Sequence, residues 1–256
     1  MTSCSAAAPP EVIGDYIATH VVRAERASRA EEGAWFATGA PHEELNGVLR
    51  LGGSEASTAG VARLRARFDG MPALWHSWPG VTDRTETVLL ASGFEFVEEE
   101  PVMTADSDAL ASAQNVRATN VTVRTAESAK ELGDWAVVWC GAPSNEIPVD
   151  LLRALSLGLE NGSVRYLVGY DGSAAVGCAA AVVAGRASAI EHVVTRRDAR
   201  GRGVGTAMTA RAMVEASAQG ATHAILTASA DGIRIYGRLG FRQVGLVRRF
   251  RDTVGA

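Results

Sequence analysis

Lysine is nearly absent from this chain: one residue, Lys130, stands against 24 arginines. With the alanine richness, this marks a GC-rich coding sequence rather than a particular chemistry. Cysteine is equally scarce. Cys4, Cys140 and Cys178 are odd in number and widely spaced, which excludes a disulfide framework and any familiar metal-ligand spacing. Cys140 and Cys178 lie in apolar stretches and are predicted to be buried free thiols. No apolar run approaches the length needed to cross a bilayer. The first residues carry neither a basic segment nor a long apolar core, so no signal peptide and no membrane partner are expected, and the cytoplasm is the expected compartment. A net charge of −4 gives no general reason to expect nucleic acid as a partner.

What remains is an ordinary globular composition, 47% hydrophobic and 21% charged, over 256 residues. That length suits one large domain or two small ones. Charge is unevenly distributed. Glu98, Glu99 and Glu100 adjoin one another, while Arg196, Arg197, Arg200 and Arg202 crowd a single turn.

That turn is the most informative stretch. The apolar run Ala187 to Val194 gives way to glycines at 201, 203 and 205, and a helix-period segment, Thr206 to Ala218, follows. Strand, glycine turn and helix in this order let backbone N–H groups converge at the positive end of a helix dipole, where a phosphate can bind. No Lys-Ser or Lys-Thr follows the last glycine, which excludes a nucleotide-triphosphatase loop. Thr206 stands where a dinucleotide fingerprint needs its third glycine.

The spacing Arg200-x-x-Gly203-x-Gly205 resembles the acetyl-CoA pyrophosphate loop of the GNAT superfamily of N-acetyltransferases. A second block about thirty residues on, Ile235-Tyr236-Gly237-Arg238-Leu239-Gly240-Phe241, is similar to that family's Tyr-x-x-x-Gly-Phe signature. The resemblance covers roughly residues 115–252. It implies the GNAT acyl-CoA N-acyltransferase fold, an α/β (α+β) fold whose mixed, mostly antiparallel central sheet is flanked by helices.

The pattern along the chain agrees with such a sheet. Residues 104–119 are small and polar and read as a connection, dividing the chain into domains 1–107 and 108–256. In the second, strands are predicted at Val121–Arg124, Arg165–Tyr170, Ala174–Val183, Ala187–Val194, Ala224–Ala228 and Phe241–Phe250. Helices are predicted at Ser128–Cys140, Val149–Leu157 (stopped by Gly158), Thr206–Ala218 and Asp231–Arg238. The first domain reads as helix Pro10–Ala27, strands Ala34–Thr38 and Leu45–Leu51, helix Thr58–Phe68, strand Leu74–Trp78, helix Glu86–Ser92 and strand Phe96–Met103. Its Leu89-Leu90-Ala91-Ser92-Gly93-Phe94 echoes Arg238-Leu239-Gly240-Phe241. By resemblance it looks like the degenerate first copy of a tandem GNAT protein that has lost the cofactor loop. An unrelated α/β cap is the alternative.

The resemblance also implies roles. Backbone amides of His192, Val193 and Val194 would bond the pantetheine of acetyl-CoA and polarise the thioester carbonyl. Those of Arg200, Gly201, Arg202, Gly203, Val204 and Gly205 would take the pyrophosphate. Tyr236, a phenol protonated at neutral pH, is the expected general acid for the departing thiolate. Glu191 is the expected general base and His192 the alternative; as strand neighbours they should point to opposite faces. Ser229 stands where many members carry an asparagine on the pantetheine, and Asp231 would cap the last helix. Trp135, Trp139 and Glu146 would help build the acceptor pocket. The function implied is transfer of an acetyl group from acetyl-CoA to a primary amine of a small molecule or peptide, by direct attack through a tetrahedral intermediate. A monomer or homodimer is expected. The alternative is a non-catalytic acyl-CoA-binding regulatory module.

Overall fold

Local chemistry sets several of the helix ends. The computed structural model describes residues 7–30, 33–81, 84–116 and 121–253. Cys4 and the end of the predicted connection, residues 117–119, lie outside them. Two compact units form: Met1–Val102 with Gln243–Ala256, and Met103–Arg242.

In the first unit, α1 (Pro10–Val22) opens with proline in its first turn, where no N–H is needed. It ends earlier than its apolar pattern suggests. Arg26–Arg29 instead forms β1, paired antiparallel with β2 (Gly33–Ala37) from Arg26↔Ala37 to Arg29↔Ala34. Pairing with β2 thus overrides the local helical propensity of this segment. Then come β3 (Asn46–Leu51), α2 (Thr58–Arg65), β4 (Leu74–Ser77), α3 (Thr85–Ala91) and β5 (Phe94–Ala105). β2 and β3 are antiparallel, whereas β3 and β4 run parallel with α2 as the crossover.

The second unit begins with α4 (Ser107–Ser112), inside the stretch predicted as a bare connection. Its Asp106 cap accepts a hydrogen bond from the Ala109 amide, and Leu110 is buried. So few apolar residues give too short a period to read from sequence. β6 (Thr122–Thr125) and α5 (Ala129–Cys140) follow. α5 starts in a capping box: Ser128 Oγ accepts from the Glu131 amide, while Glu131 accepts from the Ser128 hydroxyl and the Glu127 amide. It ends at Gly141, in the left-handed region.

α6 (Val149–Glu160) runs through Gly158 rather than stopping there. A Cβ on Gly158 would lie 2.9 Å from Val164 Cγ2 and 3.0 Å from the Tyr166 hydroxyl, so this glycine serves close packing and not termination. β7 (Val164–Asp171), β8 (Ala174–Ala184) and β9 (Ala187–Thr195) then form an antiparallel meander. α7 (Val204–Ala218) crosses to β10 (His223–Thr227), which lies parallel to β9; α8 (Ile233–Arg238) comes last. The strand order in this unit is β10-β9-β8-β7-β6.

The apolar face of α7 predicted from sequence, Val204, Ala207, Met208 and Ala212, is buried. Its seat is made by two glycines paired across β7 and β8, Gly169↔Gly177. A Cβ on Gly177 would meet Val204 Cγ1 at 2.6 Å, and one on Gly169 would meet Met208 Sδ at 2.8 Å. Bare backbone here lets the first turn of α7 lie directly on the sheet, which fixes the glycine loop ahead of it.

The final strand, β11 (Arg242–Asp252), enters the first unit, where a cut at 107/108 would leave it with the second. It pairs antiparallel with β4 from Arg248↔Ser77 to Arg251↔Leu74 and has β5 on its other side. Phe250 lies in a core with Trp35, Leu51, Leu64, Trp75 and Phe94. The acidic run on β5 finds its partners here. Arg249 bridges Glu98 and Glu100, and Arg248 bridges Glu86 and Glu99.

Candidate active site

β9 is the strand on which the site is built. Its parallel pairing with β10 spans Ala187 to Ala189, yet the strand continues to Thr195. Beyond Ala189 the two strands diverge. A cavity of about 560 Å³ lies there, lined by Val193, Val194 and Thr195, by Arg200, Gly201, Gly203 and Gly205 of the loop, and by Ser229, Asp231 and Tyr236. Its volume falls within the usual range for a small-molecule site.

The glycine loop has the geometry its sequence suggests. A 3₁₀ turn, Arg197–Ala199, leads to Gly201 and Gly203 with φ of +74° and +79°, where side chains fit poorly. Gly203 is the N-cap of the fifteen-residue α7 and gives no side-chain bond to the first amides. Those donors stand at the positive end of the helix, beside the cavity. A phosphate-bearing group fits this cradle by the criterion of backbone conformation.

The four arginines do not act alike. Arg196 pairs with Asp198 at 2.6 Å and donates to the Ala175 carbonyl. The Arg196 hydrogen bond holds the Asp198 carboxyl below its usual range. Arg202, expected among the phosphate-loop residues, pairs with Asp171 at 2.7 Å and is not among the residues lining the cavity. Arg200 lines the cavity and donates Nε to the Thr195 carbonyl.

Tyr236 is 8% exposed, on α8, and also lines the cavity. Its ring meets Phe241 edge-on at 6.0 Å, so the Gly-Phe that follows it in the motif packs the tyrosine. Gly232 makes room on the other side, where a Cβ would lie 2.5 Å from the ring. Gly232, not Asp231, is the N-cap of α8, without a side-chain bond. Asp231 is an exposed residue at the cavity wall, because the helix begins two residues after it.

Glu191 and His192 depart from strand alternation. The ladder between β8 and β9 pairs Ala180 with Glu191 but Cys178 with Val194, so two residues of β9 face Ala179 alone. This is a β-bulge, and His192 has φ +53°. It turns the two side chains toward each other, with His192 Nε2 3.6 Å from Glu191 Oε2. The expectation that they point to opposite faces fails for that reason. The Ala179 carbonyl, opposite the bulge, accepts the Trp135 indole N–H at 2.8 Å. Burial pushes the Cys178 thiol up, so it stays protonated; its sulfur donates to the His192 carbonyl. Cys140, by contrast, is exposed at the end of α5, because its side of that helix leaves the core.

Of the expected acceptor-pocket residues, Trp135 is wholly buried and Glu146 is exposed in a 3₁₀ turn. Trp139 packs at a tilt against Trp135 and against His192. Thr195, Thr206, Ile235 and Arg238 line the cavity without having been singled out from sequence. Only their position beside the two motifs could have marked them.

Residues 162–243, from the turn ahead of β7 to the start of β11, match the family model described as an acetyltransferase (GNAT) domain. The fold is similar to that of a GCN5-related N-acetyltransferase from Kribbella flavida, 23% identical over 95% of this chain and 96% of that one, with a TM-score of 0.69. It is similar too to a GCN5-related N-acetyltransferase-like protein from Streptococcus suis (14% identity, 94% and 95% covered, TM-score 0.62). A functionally unknown conserved protein from Staphylococcus epidermidis shares the fold at 11% identity, 90% and 94% covered, TM-score 0.61. Among curated proteins no sequence matches the chain. Residues 162–243 thus match an acetyltransferase (GNAT) domain, and the chain shares the fold of these structures.

Among the described residues no helix is long and apolar enough to cross a membrane.

Proposed function

We propose that the second unit transfers the acetyl group of acetyl-CoA to a primary amine of a small molecule or peptide. The cavity where β9 leaves β10, walled by the glycine loop and by Tyr236, carries this reading. Acetyl-CoA supplies an activated acetyl thioester. The amides of His192, Val193 and Val194, past the end of the parallel ladder, hold the extended arm and donate to the thioester carbonyl as negative charge develops on it. The amides of residues 200–205 hold the pyrophosphate, with Gly201 and Gly203 keeping the approach clear. Arg202 contributes backbone there, since its guanidinium is engaged by Asp171. Ser229 stands at the cavity wall where it can accept or donate one bond.

Tyr236 gives its phenolic proton to the departing thiolate. Glu191 takes the proton that the amine must lose before or during attack. Release of free thiol on incubation with acetyl-CoA and glycinamide, benzylamine, spermidine or glucosamine tests the reading. A protein that binds CoA but releases thiol with none of them is a binding module instead.

The first unit is a degenerate copy of the same fold in this reading. Its β3–α2–β4 crossover, parallel like β9–α7–β10, supports that relation. Trp78 explains the lost ligand. Its fully buried indole donates to the Leu49 carbonyl at 2.7 Å, just past the β3–β4 ladder, where the second unit has its cavity.

A further inference from the structure

We propose that Trp135 and Cys178 are positioning residues, which together aim the backbone of Val193 at the acetyl thioester. The proposal rests on the acetyltransferase reading and deepens it.

The neighbours of Val193 fix the direction of its peptide groups. The Cys178 thiol, on β8, donates to the His192 carbonyl at 3.4 Å, and the same sulfur accepts from the Val194 amide. Both partners therefore point toward β8. A trans peptide turns its C=O and N–H in opposite directions, and no cis bond occurs among the described residues. The Val193 N–H shares a peptide with the His192 carbonyl, so it must point away from β8. The Val193 carbonyl shares one with the Val194 amide and does the same. On that side of β9 lies β10, whose ladder covers only Ala187 to Ala189. Val193 lines the cavity that opens beyond it. One residue thus offers a donor and an acceptor to a ligand in the gap, as an unpaired strand edge does.

A regular antiparallel ladder would hold these groups with backbone alone. Here two residues of β9 stand against Ala179, His192 has φ +53°, and the ladder is disrupted. The thiol serves where that pairing fails. Trp135 holds the other strand: its wholly buried indole donates from α5 to the Ala179 carbonyl at 2.8 Å. Ladder carbonyls point at the neighbouring strand, so a side chain from a helix on the sheet reaches one only where it has turned out of line. With that carbonyl turned to the indole, β9 keeps its extra residue. The same indole ring meets the His192 imidazole edge-on at 5.7 Å. Both donors are buried and neither is among the residues lining the cavity, so they act through the backbone and not on the ligand. As the amine attacks, the C=O electron pair of the thioester moves onto oxygen, which the Val193 N–H then meets. The intermediate collapses when the C–S bond breaks and its pair leaves on sulfur. A donor aimed at that oxygen matters most in the transition state, so misdirecting it should lower kcat more than it raises KM.

Turnover with the fastest amine of the panel above tests the idea. Cys178→Ala and Trp135→Phe should each lower kcat roughly tenfold, short of the hundredfold or more that outright loss of such a donor costs. The KM for acetyl-CoA and the Kd for free CoA, which has no thioester carbonyl, should stay within about twofold. Cys178→Ser restores a donor and should recover most of the lost rate. Leu155→Ala, a buried truncation in α6, should lower Tm yet leave kcat within about twofold. A serine variant as slow as the alanine one would show that the hydrogen bond is idle. A kcat that simply follows Tm across these variants would reduce both residues to packing; either result overturns the proposal. Should Cys178→Ala not fold, a protein with Cys4 and Cys140 replaced by alanine keeps one S–H stretching band in the infrared. That band should lie below the free-thiol frequency, as a donating thiol requires, and a band at the free-thiol position overturns the proposal without reference to activity. If the wild-type protein acetylates none of the amines, the acetyltransferase reading fails and the proposal falls with it; if it does and serine gives no rescue, the proposal fails alone.

Discussion

Gly203 is the position at which the loop assignment is most exposed to disproof. Two substitutions separate backbone strain from charge. Gly203→Ala forces a Cβ into φ +79°, at a cost of about 1–2 kcal/mol. For a chain of this length that lowers Tm by roughly 2–8 °C. Gly203→Asp adds a carboxylate where the pyrophosphate should lie. Two unit charges about 4 Å apart repel by about 4 kcal/mol at an effective dielectric near 20. At 1.4 kcal/mol per tenfold, CoA should bind about a thousandfold more weakly. Calorimetric titration with CoA gives Kd, and thermal melting of the Gly203→Ala apoprotein gives the strain alone. Gly203→Asp should melt no lower than Gly203→Ala, since aspartate tolerates the left-handed region better and can cap α7, yet the two should differ sharply in Kd. The difference should shrink at high salt, because the loop is exposed and its charges are screened. If Gly203→Asp binds CoA within about threefold of Gly203→Ala, no pyrophosphate lies against this loop and the electrostatic reasoning fails.

Tyr236→Phe keeps the ring on Phe241 and removes only the hydroxyl, so turnover should fall about ten- to a thousandfold with CoA affinity little changed; single-turnover kinetics measures the chemical step, and a rate within about twofold of wild type would exclude the acid role. Gly177→Val would drive side-chain atoms into Val204 and Met208, costing about 1–3 kcal/mol and displacing the first turn of α7. Its Tm should drop and its KM for acetyl-CoA should rise together, whereas an unchanged KM would show that the glycine seat does not position the loop. Glu131 is held below its ordinary 4.5, first by the Glu127 amide and then by the Ser128 hydroxyl. A lowered folded value means stabilisation present above the unfolded value and lost as pH falls through the folded one. Wild type should therefore lose more stability than Glu131→Gln between about pH 5 and 3 in urea titrations; equal losses would refute the capping contribution.

What could be read from the sequence was decided by neighbours in the chain. Strand, glycine turn and helix at 187–218 depend on side-chain period, on capping and on the absence of Cβ, all of which act within a few residues. The two motifs that resemble GNAT signatures are local for the same reason, and the structure brings Gly203 and Tyr236 to one cavity. Local rules misled where packing had a stronger claim. Gly158 reads as a helix stop, yet it lies within α6 because Val164 and Tyr166 leave no room for a side chain. Arg26 and Ala27 leave the predicted helix and join β1 because β2 offers a ladder.

Tertiary structure alone decided the rest. An isolated strand pattern at 242–252 does not name its partner; the ladder with β4, from Arg248↔Ser77 to Arg251↔Leu74, and the burial of Phe250 decide it. The bulge at His192 is likewise invisible in the sequence. One extra residue on β9 against Ala179 exists only once β8 is alongside, and it reverses the side on which a side chain emerges. Period and capping are properties of one segment, but register is a property of two.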